Sequence, residues 1–148
     1  MKKSNILLFL LMLIFVSCKN KNTNPYQNNL GIQPAQLAQA DIEHYTTILW
    51  KDSIQNFGEI KVGDTVQLHF TFKNTGTYPL FLTGAKPNCG CTVTDYPRTV
   101  IQPGEEGVLT AKFGTTNEKG IIKKTIRVSS NTTNNIYHVL QFYGETKK

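Results

Sequence analysis

Two cysteines separated by one glycine, Cys89-Gly90-Cys91 in the run "PNCGCTVTDYP", are the residues of this chain best suited to chemistry. Thiolates are nucleophiles and soft metal ligands. The pair therefore admits four states: a redox dithiol, half of a metal site, a disulfide, or two small buried hydrophobes. In an extended strand residues i and i+2 face the same side, here with Cα atoms about 6.6 Å apart. That separation is near the upper limit for a disulfide, and parallel Cβ vectors suit one poorly. Gly90 permits a bend that would bring the sulfurs together. A bridge across one residue closes almost no loop, so it would stabilise little and, if strained, would be labile.

The metal reading needs further ligands, and the candidates are His44, His69 and His138. Nothing in their spacing sets any of them beside the cysteines. The only methionines, Met1 and Met12, lie at the extreme N-terminus, which removes a common partner for copper(I). A copper or zinc contact would rest on Cys89 and Cys91 alone, and no cofactor is expected. Just beyond the pair, "TDYPRTV" (residues 94–100) brings together a carboxylate, an aromatic ring and a guanidinium in Asp95, Tyr96 and Arg98. That cluster is the preferred surface for contact with a partner. Asp52, Glu59, Asp64, Glu105 and Glu106 sit near turns, without the spacing of a paired general acid and base. No phosphate loop, nucleophile elbow or metalloprotease helix is present, so no catalytic residue is assigned and the chain does not read as an enzyme.

Location bears on the cysteines. "MKKSN" is a positive segment and Ile6 to Val16 is an unbroken apolar run, too short for a membrane-spanning helix but suited to a secretory signal. It ends at Ser17 and Cys18. This looks like a bacterial lipoprotein signal (residues 1–17), with Cys18 the lipid-modified N-terminus of the mature chain. Several acyl chains on one cysteine give stable anchoring where one would not. Cys89 and Cys91 are then the remaining two of three cysteines, in a compartment that permits disulfides.

Residues 18–45 read as a tether. "KNKNTNPYQNNLGIQP" is too polar to pack, and Ala35 to Tyr45 admits a short helix around Leu37 and Ile42. From Thr46 to the end (residues 46–148) the pattern changes to short strands and turns. The clearest is Val66, Leu68, Phe70 and Phe72 on one parity against Gln67, His69, Thr71 and Lys73 on the other. Leu80 with Leu82, then Leu109, Ala111 and Phe113, then Ile122, Ile126 and Val128, then His138, Leu140 and Phe142 continue the series. About seven strands at regular spacing predict an all-β, immunoglobulin-like antiparallel β-sandwich. The formal net charge is +6, and Lys2 and Lys3 supply two of those charges. The other lysines are dispersed along the chain, which argues against a nucleic-acid surface.

Several motifs recur in order: "FGEI", "FKNTG" followed by "PL", "CGCTV", "YP", "PGE" and "IRVSSN". Together they resemble the bacterial family named domain of unknown function 1573, itself similar to immunoglobulin-like domains of abnormal-spindle and Hydin type. The resemblance implies the sandwich fold and an envelope location, and no mechanism. The motif residues read mainly as fold markers. Gly58 lets the chain bend behind Phe57, "NTG" supplies a turn in which Asn74 and Gly76 tolerate positive φ, and Pro103-Gly104 presets another turn.

The combined expectation is a lipid-anchored, periplasm-facing binding or scaffolding module. Its partners would be the membrane, through the anchor, and an envelope protein or glycan. Thiol–disulfide chemistry and copper or zinc contact at Cys89 and Cys91 are the alternatives.

Overall fold

The computed structural model describes residues 40–116 and 119–148. The expected signal (residues 1–17), Cys18 and the expected tether up to residue 39 lie outside the described residues. Among the described residues the first named element is a single 3-10 turn, Ile42–His44. Eight strands follow: β1 (Ile48–Trp50), β2 (Ile54–Lys61), β3 (Thr65–Asn74), β4 (Leu82–Pro87), β5 (Thr92–Asp95), β6 (Glu106–Gly114), β7 (Gly120–Ser130) and β8 (Tyr137–Lys147). They form two four-stranded sheets, ordered β1-β3-β6-β5 and β2-β8-β7-β4. This is the immunoglobulin arrangement, with a first strand divided between the sheets.

That division accounts for the two differences from the expected antiparallel, seven-stranded sandwich. The chain does not reverse after β1, which pairs antiparallel with β3. It crosses at Lys51–Ser53 and continues in the same direction as β2, now beside β8. The β2–β8 pairing is therefore parallel, and the second sheet is mixed. One strand interrupted at the crossing becomes two.

Alternation decides which side chains enter the core. In one unbroken register Leu68 and Phe70 of β3 stand opposite Ala111 and Leu109 of β6, while Phe72 stands opposite Gly107 and Phe113 opposite Val66; Leu68, Phe70, Phe72, Leu109, Ala111 and Phe113 are all buried. Ile126 and Val128 of β7 and Leu140 and Phe142 of β8 close the core from the other sheet. Each large apolar side chain so buried contributes about 1.5–3 kcal/mol relative to exposure. Phe57, Phe113 and Phe142 form an aromatic cluster with centroid separations of 5.6–6.4 Å. Trp50 is half-buried against Phe72, 5.0 Å away. Leu80, Phe81 and Leu82 are all buried, although Leu80 and Leu82 alone were expected to share a covered face. The segment is passing between sheets there, so simple two-residue periodicity does not apply.

Candidate functional site

The sandwich has two distinct ends. Thr46, where the described chain enters, is bridged to Thr132 in the β7–β8 connection. The opposite end carries the β4–β5 and β6–β7 connections, and there Cys89 and Cys91 form a disulfide. Of the states left open by the sequence, the structure shows this one. The Cα atoms are 5.3 Å apart, closer than full extension would place them, because the chain bends at Gly90. Gly90 is exposed, and a Cβ there would meet nothing within 4 Å.

Both flanks of this turn are anchored without the bridge. The Asn88 amide donates to the Thr125 carbonyl at 3.0 Å, and the Thr125 amide donates to Asn88 Oδ1 at 3.2 Å. The Gly114 amide donates to the Cys91 carbonyl at 3.1 Å. Thr92 is buried and opens the β5–β6 ladder opposite Phe113. Its hydroxyl lies 3.4 Å from Cys89 Sγ. The two cysteines differ in setting: both are half-buried, and Cys91 packs against the hydrophobic core.

The other expected site residues are not gathered around the sulfurs. Asp95 faces outward beside Gln67, Val93, Thr110 and Lys112, which line a shallow groove of about 290 Å³. Tyr96 packs against the core, and Arg98 lies over its ring at 3.9 Å while donating to its hydroxyl at 2.8 Å. Asp95 and the Tyr96–Arg98 pair therefore present different surfaces. Glu59 pairs with Lys147, Glu106 pairs with Lys51 at 2.8 Å, and Glu105 accepts from the Gln102 amide. Asp64 accepts from the Lys61 amide across its turn, and Asp52 is exposed. These carboxylates close turns and make surface ion pairs. Among the described residues, no three His, Cys, Asp or Glu side chains converge as a metal site.

The histidines occupy three separate places. His44 is exposed, 2.7 Å from Asp41 and edge-on to Tyr78. His69 lies on the outer face of the first sheet, between Gln67 and Thr110. His138 is half-buried, with Nε2 3.0 Å from Thr132 Oγ1 and 3.2 Å from Ser130 Oγ, and Trp50 packed nearby. Burial pushes the His138 pKa below its ordinary 6.5, partly opposed by a hydrogen bond from the ring to the Asn135 backbone. The unfolded chain therefore takes up this proton more readily than the folded one. The stability His138 contributes is complete above about pH 6.5 and declines as the pH falls through and below that value. Urea midpoints should fall between about pH 7.5 and 5.5, and His138→Gln should flatten that slope. An unchanged slope in the variant would assign the effect to another group.

Two features were not anticipated from the sequence. The outer face of the second sheet presents Tyr137, Val139 and Tyr143 along β8, with Ile54 of β2 and Ile121 of β7 beside them. Ile121 is 87% exposed and Val139 61%. Arg127 lies over the Tyr137 ring at 5.3 Å, and Lys123 stands opposite Tyr143. The available signal was that "YHVLQFY" is apolar on both parities, the pattern of a strand covered on both faces. The second feature is charge. Lys61, Lys112, Lys119, Lys123 and Lys147 lie toward the disulfide end, together with Glu59, Asp64 and Glu145, and Lys147 is paired with Glu59. Asp41, Glu43, Glu105 and Glu106 lie toward the other end.

The family model described as "Protein of unknown function (DUF1573)" matches residues 48–146, all but the margins of the sandwich. The chain belongs to the DUF1573 family. No curated protein sequence matches it. Among solved structures, the DUF1573 domain is similar to a protein of unknown function from Porphyromonas gingivalis W83, with a TM-score of 0.62 and 17% identity over 69% of this chain and 47% of that one. This chain thus spans about half of that protein. It is also similar to the ASH/PapD-like domain of human CEP192, with a TM-score of 0.53 and 13% identity over 70% of this chain and 87% of that one. A third likeness is the periplasmic chaperone SfaE, with a TM-score of 0.51 and 9% identity over 69% and 59% of the two chains. At these identities the likenesses establish a shared fold.

Within the DUF1573 domain, the motif asparagines have a role the sequence reading missed. Asn74, the Asn of "FKNTG", is fully buried. Its amide donates to the Tyr78 and Ile101 carbonyls at 2.8 and 3.0 Å, and its Oδ1 accepts from Thr46 Oγ1 and the Gly76 amide at 2.8 and 3.1 Å. Asn131, the Asn of "SSN", donates to the Pro79 carbonyl and accepts from the Phe81 amide. Gly76 is not among the glycines with positive φ, contrary to the turn reading. Its lack of a side chain matters because Thr46 packs where a Cβ would stand.

Proposed function

We propose that the DUF1573 domain is a non-catalytic binding module that engages an envelope protein through the outer face of its β2-β8-β7-β4 sheet. In this reading a lipid on Cys18 and a tether running to about residue 45 hold it at the membrane. The observation that carries the reading is the exposed row of Tyr137, Val139 and Tyr143 with Ile54 and Ile121 at its sides. Soluble domains rarely leave a contiguous apolar patch of more than a few hundred Å² uncovered unless something docks there. Tyrosine and arginine are the side chains most often found at the centres of such contacts. The basic flank formed by Lys86, Lys123 and Arg127 favours a partner with acidic residues at the rim. The apolar run before Cys18 and the polar segment after it support the anchor.

A photo-crosslinking residue at Val139 in the full-length protein tests this reading in cells. The expected result is one discrete protein adduct in the membrane fraction, lost when Ile121 and Tyr143 are both changed to Lys. The adduct should persist when Asp95, Tyr96 and Arg98 are replaced together. Changing Cys18 to Ser should release the protein from the membrane fraction. Loss of the adduct only in the Asp95/Tyr96/Arg98 variant would move the contact to that segment and overturn the choice of face. An adduct indifferent to all these changes would overturn the module itself.

A further inference from the structure

We infer that the Cys89–Cys91 disulfide is an exchangeable bond, opened by an incoming thiol at Cys89 while the domain stays folded. The first ground is that nothing in the fold depends on it. The bridge spans one residue, so it removes little freedom from the unfolded chain. The turn is held by the paired hydrogen bonds between Asn88 and Thr125, by the Gly114-to-Cys91 bond and by the Thr92–Phe113 register. None of these contacts is made by a sulfur atom. The second ground is position. The bond sits at the end remote from the entering chain, under an exposed glycine with open space above it.

Two effects compete over which sulfur is attacked. Attack at Cys91 would expel a Cys89 thiolate that the Thr92 hydroxyl, 3.4 Å away, can stabilise, so leaving-group chemistry favours it. Access favours Cys89, because Cys91 packs against the core. A protein thiol needs an open line to the sulfur it attacks, and access decides.

The step balances with thiols alone. A thiolate forms a bond to Cys89 Sγ, the Cys89–Cys91 bond breaks, and Cys91 leaves with the electron pair and takes a proton from water. A second thiolate then attacks the incoming group's sulfur in the mixed disulfide. It forms a new external disulfide and releases Cys89 as a thiolate that accepts a hydrogen bond from Thr92. Two thiols are oxidised and the protein disulfide is reduced by two electrons. An external disulfide reverses the sequence.

The test uses the full-length protein in detergent. In millimolar reduced glutathione without denaturant, intact mass should show the bond opening while near-ultraviolet circular dichroism stays native. With oxidised glutathione, Cys91→Ser should form a stable adduct at Cys89, and Cys89→Ser should react about tenfold more slowly. In the Cys91→Ser background, Thr92→Val should slow alkylation of Cys89 near neutral pH by about tenfold, with the loss recovered at higher pH. A disulfide that stays closed in the folded protein would overturn the inference. So would a reduced domain that unfolds, or faster reaction at Cys91. The Val139 crosslink should be indifferent to both cysteine variants, so this inference and the docking face stand or fall separately.

Discussion

Asn74→Ala is expected to destabilise the domain by about 4 kcal/mol, because one substitution strands three hydrogen-bonding groups in or near the core and removes one of two bonds from a fourth. The Tyr78 carbonyl loses its donor, the Ile101 carbonyl keeps only the Leu80 amide, and the Thr46 hydroxyl and Gly76 amide lose their acceptor. The site is fully buried, and alanine leaves a polar cavity where the chain enters β1. For a domain of this size the melting temperature should fall by roughly 20 °C. Asn74→Asp separates the two halves of the effect. A carboxylate still accepts from Thr46 and Gly76 but faces two carbonyls with negative charge, so it should be at least as damaging near neutral pH. Acidification should then recover part of the loss, since a protonated carboxyl can donate to one of them. Urea unfolding followed by Trp50 fluorescence measures all three proteins. A loss below about 1 kcal/mol for Asn74→Ala would mean that water replaces the side chain.

Gly144→Ala should cost about 2–3 kcal/mol, although it adds only one methyl group. A Cβ at this position would overlap the Phe57 ring and the Gly58 carbonyl, both on β2. The ring cannot simply turn away, because it is packed near Phe113 and Phe142. The Gly58 carbonyl is backbone at the irregular step in the β2–β8 pairing, between Asn56 and Gly58. Overpacking here therefore strains the parallel seam itself. A double-mutant cycle with Phe57→Ala should show coupling of about 1 kcal/mol, since removing the ring clears room for the methyl group. Additive effects would place the strain at the Gly58 carbonyl alone.

The residues that made strands legible were those of the half-buried strands. Val66, Leu68, Phe70 and Phe72 alternate without a break, and β3 extends by one or two residues on either side of them. The parallel β2–β8 pairing was not legible. β2 has no run of buried alternating residues, and its partner lies near the far end of the chain. The burial of Asn74 and Asn131 was not legible for a different reason. Polarity patterns score every asparagine as outward-facing, and only the tertiary partners reveal a fully satisfied buried one. At the candidate site, spacing exposed the cysteine pair and its shared face but left its state open. The decisive element was the bend at Gly90, which depends on anchors from Thr125 and Gly114 on other strands. The outward apolar row on β8 was visible as apolar residues on both parities, yet which parity faced the core required the sheet.

The seam between β2 and β8 also sets the order in which the domain can be completed. Ile54 is paired with Gln141, and the paired residues of β2 wait for β8, the last of the eight strands in chain order. Such topology has high contact order, and chains of this kind fold slowly because the longest loops close before their contacts reward them. Throughout that interval β1 can find β3, but β2 has an open edge and Phe57 has no pocket. The same delay is when a neighbouring chain's edge could take the place of β8.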